Sequence, residues 1–265
     1  MFSLDLRLRD RVVFITGAAG SLGSGLVHGF AREGAQLFIV DRNGTDLEKV
    51  GEAVRSTGAA CATRAVDVSS AREVSNAVGE AATSLGGKID ILINAAGIAH
   101  QCRIEEMDER DWDQSFAVNC KGTFLFIREI VPFMKKASYG KIINFSSKSG
   151  KTGSPLLSAY SAAKAAVIGL TQSLAFELAE WGINVNCVCP GLVSDTGLCG
   201  DLFANYSSSL SKSMDEVIDH FAQKIPLKRL ATIDDVVDTV LFLSSDRSSY
   251  ITGQAVNVSG GRELH

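Results

Sequence analysis

Short runs of almost entirely apolar residues recur along this chain at regular intervals. The segments VVFIT, LFIV and ILIN, which begin at Val12, Leu37 and Ile91, are the clearest of them. A strand with one face in water alternates polar and apolar residues, whereas a strand that is covered on both faces stays apolar. These runs therefore predict parallel strands that are buried between two layers of helices.

Amphipathic stretches of helical length separate the apolar runs. The predicted strands span residues 12–16, 36–41, 60–66, 89–94, 141–146, 184–189 and 255–258. The predicted helices span residues 22–33, 45–57, 71–85, 111–136, 158–181 and 233–245. Repeated strand–helix units with right-handed crossovers predict the α/β class, with a single doubly wound parallel sheet and helices on both faces.

One segment interrupts this alternation of strands and helices. Residues 196–214 contain a polar patch at 207–213, and a helical stretch follows near 215–223. Ligands of a doubly wound sheet bind beyond the carboxyl ends of its strands, which is where this segment falls. We therefore expect one catalytic domain over residues 1–265, with a movable substrate lid at about 195–225.

Charge and hydropathy argue against several classes of function. The formal net charge is −4 and no basic run is present, which argues against nucleic acid as a partner. No window reaches the roughly 18 uncharged apolar residues that cross a membrane, and no signal peptide is visible. The six cysteines match no disulfide framework, so we expect a cytoplasmic protein.

A glycine-rich turn follows the first apolar run. Residues 16–23 read TGAAGSLG and lie between a predicted strand and a predicted helix. Small residues let the backbone approach a pyrophosphate at a helix N-terminus, where free N–H groups and the helix dipole favour an anion. Asp41 ends the second predicted strand, where an acidic residue accepts hydrogen bonds from an adenosine ribose. The glycine-rich turn and the carboxylate of Asp41 together predict a dinucleotide site.

The charge at position 41 bears on which dinucleotide binds. A carboxylate about 4 Å from a 2′-phosphate would be repelled by roughly 4 kcal/mol at an effective dielectric near 20, which favours NAD over NADP. Arg42 is the complication, because a neighbouring guanidinium can neutralise a phosphate. It can equally be a solvated surface charge. The sequence therefore predicts NAD as the cofactor and leaves NADP open.

Three side chains suit proton transfer to or from an alcohol. Tyr160 and Lys164 lie four positions apart at the start of a predicted helix, so they share one face. Free tyrosine has a pKa near 10, and we expect the ammonium of Lys164, together with a cationic nicotinamide, to lower it. The phenol can then carry the alcohol proton. Ser147 follows a predicted strand at the same sheet edge, where its hydroxyl can hydrogen-bond a developing alkoxide.

The order of these residues resembles the short-chain dehydrogenase/reductase family. The family's turn Thr-Gly-x-x-x-Gly-x-Gly corresponds to residues 16–23, with Ser21 in place of the middle glycine. Ser147 stands 13 positions before Tyr160, which is the family's usual interval. The remaining motifs correspond to Asp67-Val68, Asn94-Ala95-Ala96-Gly97, Asn119 and Pro190-Gly191 with Val193. Asp195 stands where the family has a threonine, and Thr196 follows it.

The resemblance extends over nearly the whole chain and implies a role for each matched position. The implied catalytic residues are Asn119, Ser147, Tyr160 and Lys164. The residues implied to bind NAD are Gly17, Ser21, Leu22, Asp41, Asp67, Val68, Asn94, Ala95, Tyr160, Lys164, Pro190, Gly191 and Val193. Members of the family are commonly tetramers, so the resemblance also implies a homotetramer of Rossmann-type subunits that acts on a small molecule.

The segment after the fifth predicted strand bears on the substrate. The candidate substrate residues are Ser147, Ser149, Tyr160, His100, Lys148 and Lys151. Two lysines beside the catalytic serine suit a polar or phosphorylated substrate, unless both are solvated loop charges. The segments at 147–151, 160–164, 169–175 and 226–229 also resemble the sorbitol-6-phosphate 2-dehydrogenase subgroup. That likeness implies oxidation of sorbitol 6-phosphate to fructose 6-phosphate, with Lys148 or Lys151 at the phosphate.

Three other functions compete with this interpretation. The same scaffold can act on an unphosphorylated sugar alcohol, a sugar acid or a 3-oxoacyl thioester, although the last would more often use NADPH, which Asp41 disfavours. A non-catalytic NAD sensor would be free to lose the four catalytic positions, all of which are present. A zinc-dependent alcohol dehydrogenase is disfavoured and no metal is expected, because none of the four histidines pairs with a cysteine at a familiar ligand spacing.

Overall fold

The computed structural model describes residues 5–197, 199–200, 203–204, 207 and 213–265. Within them, the strands are β1 (Val12–Thr16), β2 (Gln36–Asp41), β3 (Cys61–Ala65), β4 (Ile91–Asn94), β5 (Gly140–Phe145), β6 (Ile183–Pro190) and β7 (Ala255–Val258). They pair in parallel in one sheet of order β3-β2-β1-β4-β5-β6-β7. The predicted doubly wound parallel sheet is therefore confirmed.

Helices cover the sheet on both faces. Those described are α1 (Ser21–Arg32), α2 (Gly44–Arg55), α3 (Ala71–Ser84), α4 (Glu109–Phe116), α5 (Gly122–Ala137), α6 (Lys148–Thr152), α7 (Ser158–Leu178), α8 (Met214–Gln223) and α9 (Ile233–Ser244). Side chains of α1 and α9 pack in one buried cluster, and those of α3, α5 and α7 pack in a second. In the part of the chain that is described, no helix combines the length and hydropathy that a membrane span requires.

The apolar runs owe their composition to burial on both faces of the sheet. In β1, Val13 and Ile15 belong to the cluster of α1 and α9, whereas Val12 and Phe14 belong to the cluster of α3 and α5. None of the four is more than 4% exposed. Successive residues of a strand face opposite sides of the sheet. Because helices cover both sides here, the middle of β1 has no position at which a polar side chain would reach water.

The strand order reverses between β1 and β4, and this places the carboxyl ends of the two strands side by side. The chain runs outward from β1 to β2 and β3 and then returns to β4 on the other side of β1. Thr16 and Asn94 are register partners at the ends of these strands. The segments that follow them lead into helices on different faces and leave a crevice between them, which is where doubly wound sheets bind ligands.

Two elements differ from the expectation. The predicted helix at 111–136 consists of α4, a π-helical turn at Ala117–Lys121, and α5. A π turn closes i→i+5 hydrogen bonds, and a search for apolar residues at a period of 3.6 does not detect it. The residues after β5, for which no helix was predicted, form the short helix α6. Ser147 caps α6 by accepting a hydrogen bond from the N–H of Ser149 at 3.1 Å.

The expected lid at about 195–225 falls partly outside the described residues, since 198, 201–202, 205–206 and 208–212 are not among them. Its described part includes α8, which begins with a capping box between Ser213 and Glu216. Cys199, Phe203 and Phe221 pack there in a small buried cluster apart from the two that flank the sheet. We propose that this small cluster anchors the base of the lid.

Candidate active site

A cleft of about 470 Å³ opens at the carboxyl edge of the sheet. It begins at the glycine-rich turn after β1, passes the segments that follow β2, β3 and β4, and continues to α6, the start of α7 and the end of β6. The predicted residues that line it are Gly17, Ser21, Leu22, Asp41, Asp67, Val68, Ala95, Ser147, Lys148, Ser149, Tyr160, Lys164, Pro190, Gly191 and Val193. One continuous cavity thus joins the predicted dinucleotide end to the predicted catalytic end.

The glycine-rich turn leaves no room for side chains at two positions. Gly17 has a φ of +71°, and a Cβ atom there would lie 2.6 Å from the Cα of Ala96. A Cβ on Gly23 would lie 2.0 Å from the carbonyl oxygen of Gly17. The backbone therefore closes tightly onto the start of α1, whose first residues Ser21 and Leu22 line the cleft. Free N–H groups in this cradle fit the pyrophosphate of a dinucleotide.

Two carboxylates stand at the dinucleotide end of the cleft. Asp41 ends β2, and its oxygens accept hydrogen bonds from the backbone N–H of Ala19 at 3.1 Å and of Asn43 at 3.0 Å. These bonds hold the charge at the cavity wall, beside Arg42. A hydrogen bond from the side chain of Ser69 lowers the pKa of Asp67, so this carboxylate stays ionised. Negative charge in this part of the wall favours a ribose with free hydroxyls over a ribose that carries a phosphate.

Tyr160 and Lys164 lie on one face of α7, at its start. The Nζ atom of Lys164 is 5.7 Å from the centre of the Tyr160 ring and donates a hydrogen bond to the carbonyl oxygen of Phe145 at 2.7 Å. Tyr160 is 7% exposed and Lys164 is 3% exposed, yet both line the cleft. The helical spacing of four residues therefore brings the two groups together at a place where both side chains are nearly buried.

Burial acts on both of these groups in favour of the neutral form. It raises the pKa of Tyr160, against the opposing effect of a hydrogen bond with Ser147, and it lowers the pKa of Lys164 to about 8. The expected lowering of the phenol's pKa by Lys164 together with a cationic nicotinamide concerns the NAD⁺-bound protein and stays a prediction. In the protein alone, desolvation of the phenolate is the largest influence on the pKa of Tyr160, and it favours the neutral phenol. Further positive charge in the cleft is needed to reverse this shift.

Asn119 and Asn94 lie behind the cleft wall. The amide of Asn119, in the π-helical turn, accepts a hydrogen bond from the N–H of Ile98 at 3.2 Å and donates to the carbonyl of Ile98 at 2.9 Å. A Cβ on Gly97 would lie 2.9 Å from Asn119 Oδ1 and 3.3 Å from Lys164 Nζ, so both groups approach Gly97 closely. The Asn94 side chain donates to Asn144 at 2.9 Å in the neighbouring strand. It joins β4 to β5 behind the cleft wall, and the next residues, Ala95 and Ala96, line the cleft, so its contact with the cofactor stays a prediction.

Hydroxyl and ammonium groups line the other end of the cleft. Lys148 Nζ donates a hydrogen bond to Ser154 Oγ at 2.9 Å, and Ser149 Oγ lies 2.8 Å from the same atom. Arg262, in the segment after β7, lines the same end. Neither Ser154 nor Arg262 was predicted from the sequence to line the site. The only local signal for Arg262 is the glycine pair that precedes it, which marks a turn and says nothing of where the turn leads.

Two of the predicted substrate residues lie elsewhere. His100 is exposed, and its Nε2 atom is 3.4 Å from an oxygen of Asp111 on α4. Lys151 is only partly exposed, and it donates a hydrogen bond to the carbonyl of Ala255 in β7 at 2.7 Å. Neither side chain lines the cleft. Nearness along the chain does not fix the direction of a side chain, and neither of these two forms part of the cleft wall. The Lys151 ammonium is hydrogen-bonded rather than fully solvated.

The turn after β6 completes the wall. Gly191 donates its backbone N–H to the carbonyl of Val258 at 3.0 Å, and Val193 bridges to Ala231. Asp195, at the family's threonine position, has a φ of +60° and does not line the cleft. The next residue, Thr196, lines it, and its hydroxyl donates to the carbonyl of Val193 at 2.9 Å. The displaced threonine therefore does reach the cleft.

Comparison with known proteins gives consistent results over nearly the full chain. Residues 17–263 match the family model described as enoyl-(acyl carrier protein) reductase. An uncharacterized oxidoreductase of Thermotoga maritima is 36% identical over 256 residues, which cover 97% of this chain and 98% of that protein. The sorbitol-6-phosphate 2-dehydrogenase of Escherichia coli is 36% identical over 258 residues, which cover 96% of this chain and 99% of that protein. The crystal structure of NAD+-bound xylitol dehydrogenase superposes with a TM-score of 0.91 at 28% identity, covering 96% of this chain and 100% of that chain.

Proposed function

Because this chain belongs to the short-chain dehydrogenase/reductase family, we propose that it oxidises a secondary alcohol to a ketone with NAD⁺ and catalyses the reverse reduction with NADH. One observation carries the proposal. Tyr160, Lys164 and Ser147 line the same cleft as the glycine-rich turn and Asp41, so that proton transfer and dinucleotide binding share a single cavity. A structure of a xylitol dehydrogenase with bound NAD+, which has the same fold, supports the choice of cofactor.

Each side chain has a distinct task in this reaction. When bound, NAD⁺ supplies the hydride acceptor and a positive charge beside the phenol. Ser147 donates a hydrogen bond to the substrate oxygen and holds it against Tyr160. Tyr160 takes the hydroxyl proton as the carbonyl forms, and it returns a proton to that oxygen in the reductive direction.

Lys164 and Asn119 support the phenol from behind. The Lys164 ammonium adds positive charge near the Tyr160 ring and is fixed by its hydrogen bond to the carbonyl of Phe145. Asn119 holds the backbone at Ile98 through two hydrogen bonds. The preceding residue, Gly97, lies close to Lys164 and is held in place with it. We assign Asn119 to positioning, because its amide hydrogen bonds go to this backbone and to Ser115.

We further propose that the substrate is a polyol phosphate such as sorbitol 6-phosphate. The hydroxyls of Ser149 and Ser154 and the ammonium of Lys148 line the cleft beyond Ser147, where they suit a chain of hydroxyl groups that ends in an anion. The likeness to the Escherichia coli sorbitol-6-phosphate 2-dehydrogenase supports the same class. We also propose a homotetramer, because members of this family are commonly tetramers.

A substrate panel tests the proposed function. We expect NADH to form with sorbitol 6-phosphate at a kcat/KM roughly a hundredfold above that with sorbitol, because one charge-assisted contact contributes about 1.5–3 kcal/mol and the phosphate can form more than one. The same panel run with NADP⁺ should give lower rates, since Asp41 repels a 2′-phosphate. Equal rates with sorbitol and its phosphate would contradict the phosphate proposal. Turnover of 3-oxoacyl thioesters with NADPH alone would contradict both the substrate and the cofactor.

A further inference from the structure

The segment after β7 folds back into the cleft and carries a second cation there. It turns at Gly260, where φ is +64° and a Cβ would lie 2.6 Å from Ile225, and again at Gly261. Asn257 donates a hydrogen bond to the carbonyl of Glu263 at 3.0 Å, and the N–H of Glu263 donates to Ser259 Oγ at 3.3 Å. These contacts fix the backbone on both sides of Arg262, so its place in the cleft wall is determined by the fold.

The guanidinium of Arg262 is incompletely paired. Its Nη1 atom is inaccessible to solvent and has no hydrogen-bond partner among the residues that the structure describes. Its Nε atom lies 3.6 Å from a carboxylate oxygen of Glu263, which is too long for a strong hydrogen bond. A guanidinium presents five N–H donors in a planar fork. The side chain as a whole is 24% exposed and lines the cleft, so an acceptor that enters the cleft can meet its exposed part.

Lys148 faces the same end of the cleft and repels Arg262. Burial lowers the pKa of Lys148, and the charge of Arg262 lowers it further, while Glu263 acts in the opposite direction. The Lys148 ammonium bonds to the hydroxyl of Ser154, which is neutral. The fold thus holds two cations near enough to interact, and the carboxylate of Glu263 acts on the same lysine. An anion bound between the two cations would attract both of them, and this attraction would offset their mutual repulsion.

We propose that Arg262 and Lys148 together bind the phosphate of the substrate, so that the C-terminal segment sets selectivity for phosphorylated alcohols. The inference rests on the proposed function and extends it by one residue. The planar fork of arginine matches two phosphate oxygens at once, whereas lysine acts as a point charge. Arg262 therefore orients the phosphate, and Lys148 adds positive charge to the same site.

Kinetics of matched variants test this site. In Arg262→Gln and Lys148→Met we expect KM for sorbitol 6-phosphate to rise roughly tenfold or more, with kcat within about threefold, and kcat/KM for sorbitol to fall much less than kcat/KM for the phosphate. Arg262→Lys should restore part of the loss. Lys151→Met is the control, because this lysine also belongs to α6 but bonds to the backbone of β7, and we expect less than a twofold change. An equal loss for both substrates in Arg262→Gln, or no loss, would overturn the proposal.

Binding of inorganic phosphate separates this inference from the proposed substrate. Calorimetry on the NAD⁺-loaded protein should show phosphate binding in the wild type and at least roughly tenfold weaker binding in Arg262→Gln. If the wild type prefers sorbitol 6-phosphate but Arg262→Gln keeps that preference, the inference fails and the proposed function stands. If the wild type shows no such preference yet binds phosphate through Arg262, the substrate proposal fails and the anion site stands. No phosphate binding by the wild type overturns the site.

Discussion

Replacing Tyr160 with phenylalanine should lower kcat for alcohol oxidation by roughly 10²–10⁴-fold, the usual contribution of a positioned general acid–base group. The affinity for NAD⁺ should change by less than about threefold. Phenylalanine keeps the ring that packs at the start of α7 and removes only the hydroxyl, which bonds with Ser147. Steady-state kinetics and calorimetric titration with NAD⁺ measure the two quantities separately.

Tyr139→Phe is the matched control for that substitution. The Tyr139 hydroxyl donates to Asp246 at 3.0 Å, and the residue lies just before β5, at the opposite edge of the sheet from the cleft. We expect its kinetics to be unchanged, with a loss of about 1 kcal/mol in unfolding free energy from the missing hydrogen bond. A Tyr160→Phe protein that keeps more than a tenth of wild-type turnover would contradict the assigned role. A protein that only senses NAD would show no turnover in either form.

Gly23→Ala should lower the unfolding free energy by about 3 kcal/mol, near the upper end of the usual range for overpacking. The added Cβ would lie 2.0 Å from the carbonyl oxygen of Gly17 and 2.8 Å from its carbonyl carbon. Both are backbone atoms, so no side-chain rotation can relieve the contact and the turn itself must shift. The same shift should weaken NAD⁺ binding, because the N–H groups of this turn form the anion cradle.

Gly79→Ala makes the identical chemical change where there is space for it. Gly79 is exposed in the middle of α3, and its added Cβ would have no neighbour within 4 Å. Alanine is the better helix former, so we expect a gain of roughly 0.5–1 kcal/mol and unchanged NAD⁺ affinity. Denaturant unfolding of the two variants measures both shifts. A Gly23→Ala protein as stable as the wild type would show that the turn is looser than these distances indicate.

The strands of the sheet could be predicted with accuracy because burial on two faces leaves a strong local signal. The structure has β1, β2 and β7 at the predicted bounds. The catalytic set was also accessible, since parallel strands bring their carboxyl ends to one edge and the spacing of Tyr160 and Lys164 gives them one helix face. These inferences need only periodicity and chain order.

Features that depend on tertiary contacts were not accessible in this way. The π-helical turn that carries Asn119 leaves the apolar pattern intact, and the short helix after Ser147 has too few residues to show a period. Arg262 reaches the cleft only because the chain turns at two glycines against Ile225 and Pro226. The raised pKa of Tyr160 follows from its burial, which no spacing of residues reveals.

The pH dependence of kcat/KM for alcohol oxidation, measured at saturating NAD⁺, tests the role of the phenol most directly. Because the deprotonated phenol is the active form, we expect the rate to rise with pH through one titration. The apparent pKa, which belongs to the Tyr160–Lys164 pair, should lie below the value of about 10 for free tyrosine, since bound NAD⁺ adds positive charge that outweighs burial. The small residual rate of Tyr160→Phe should lack this titration. A flat profile in the wild type, or an apparent pKa above 10, would contradict proton transfer through Tyr160.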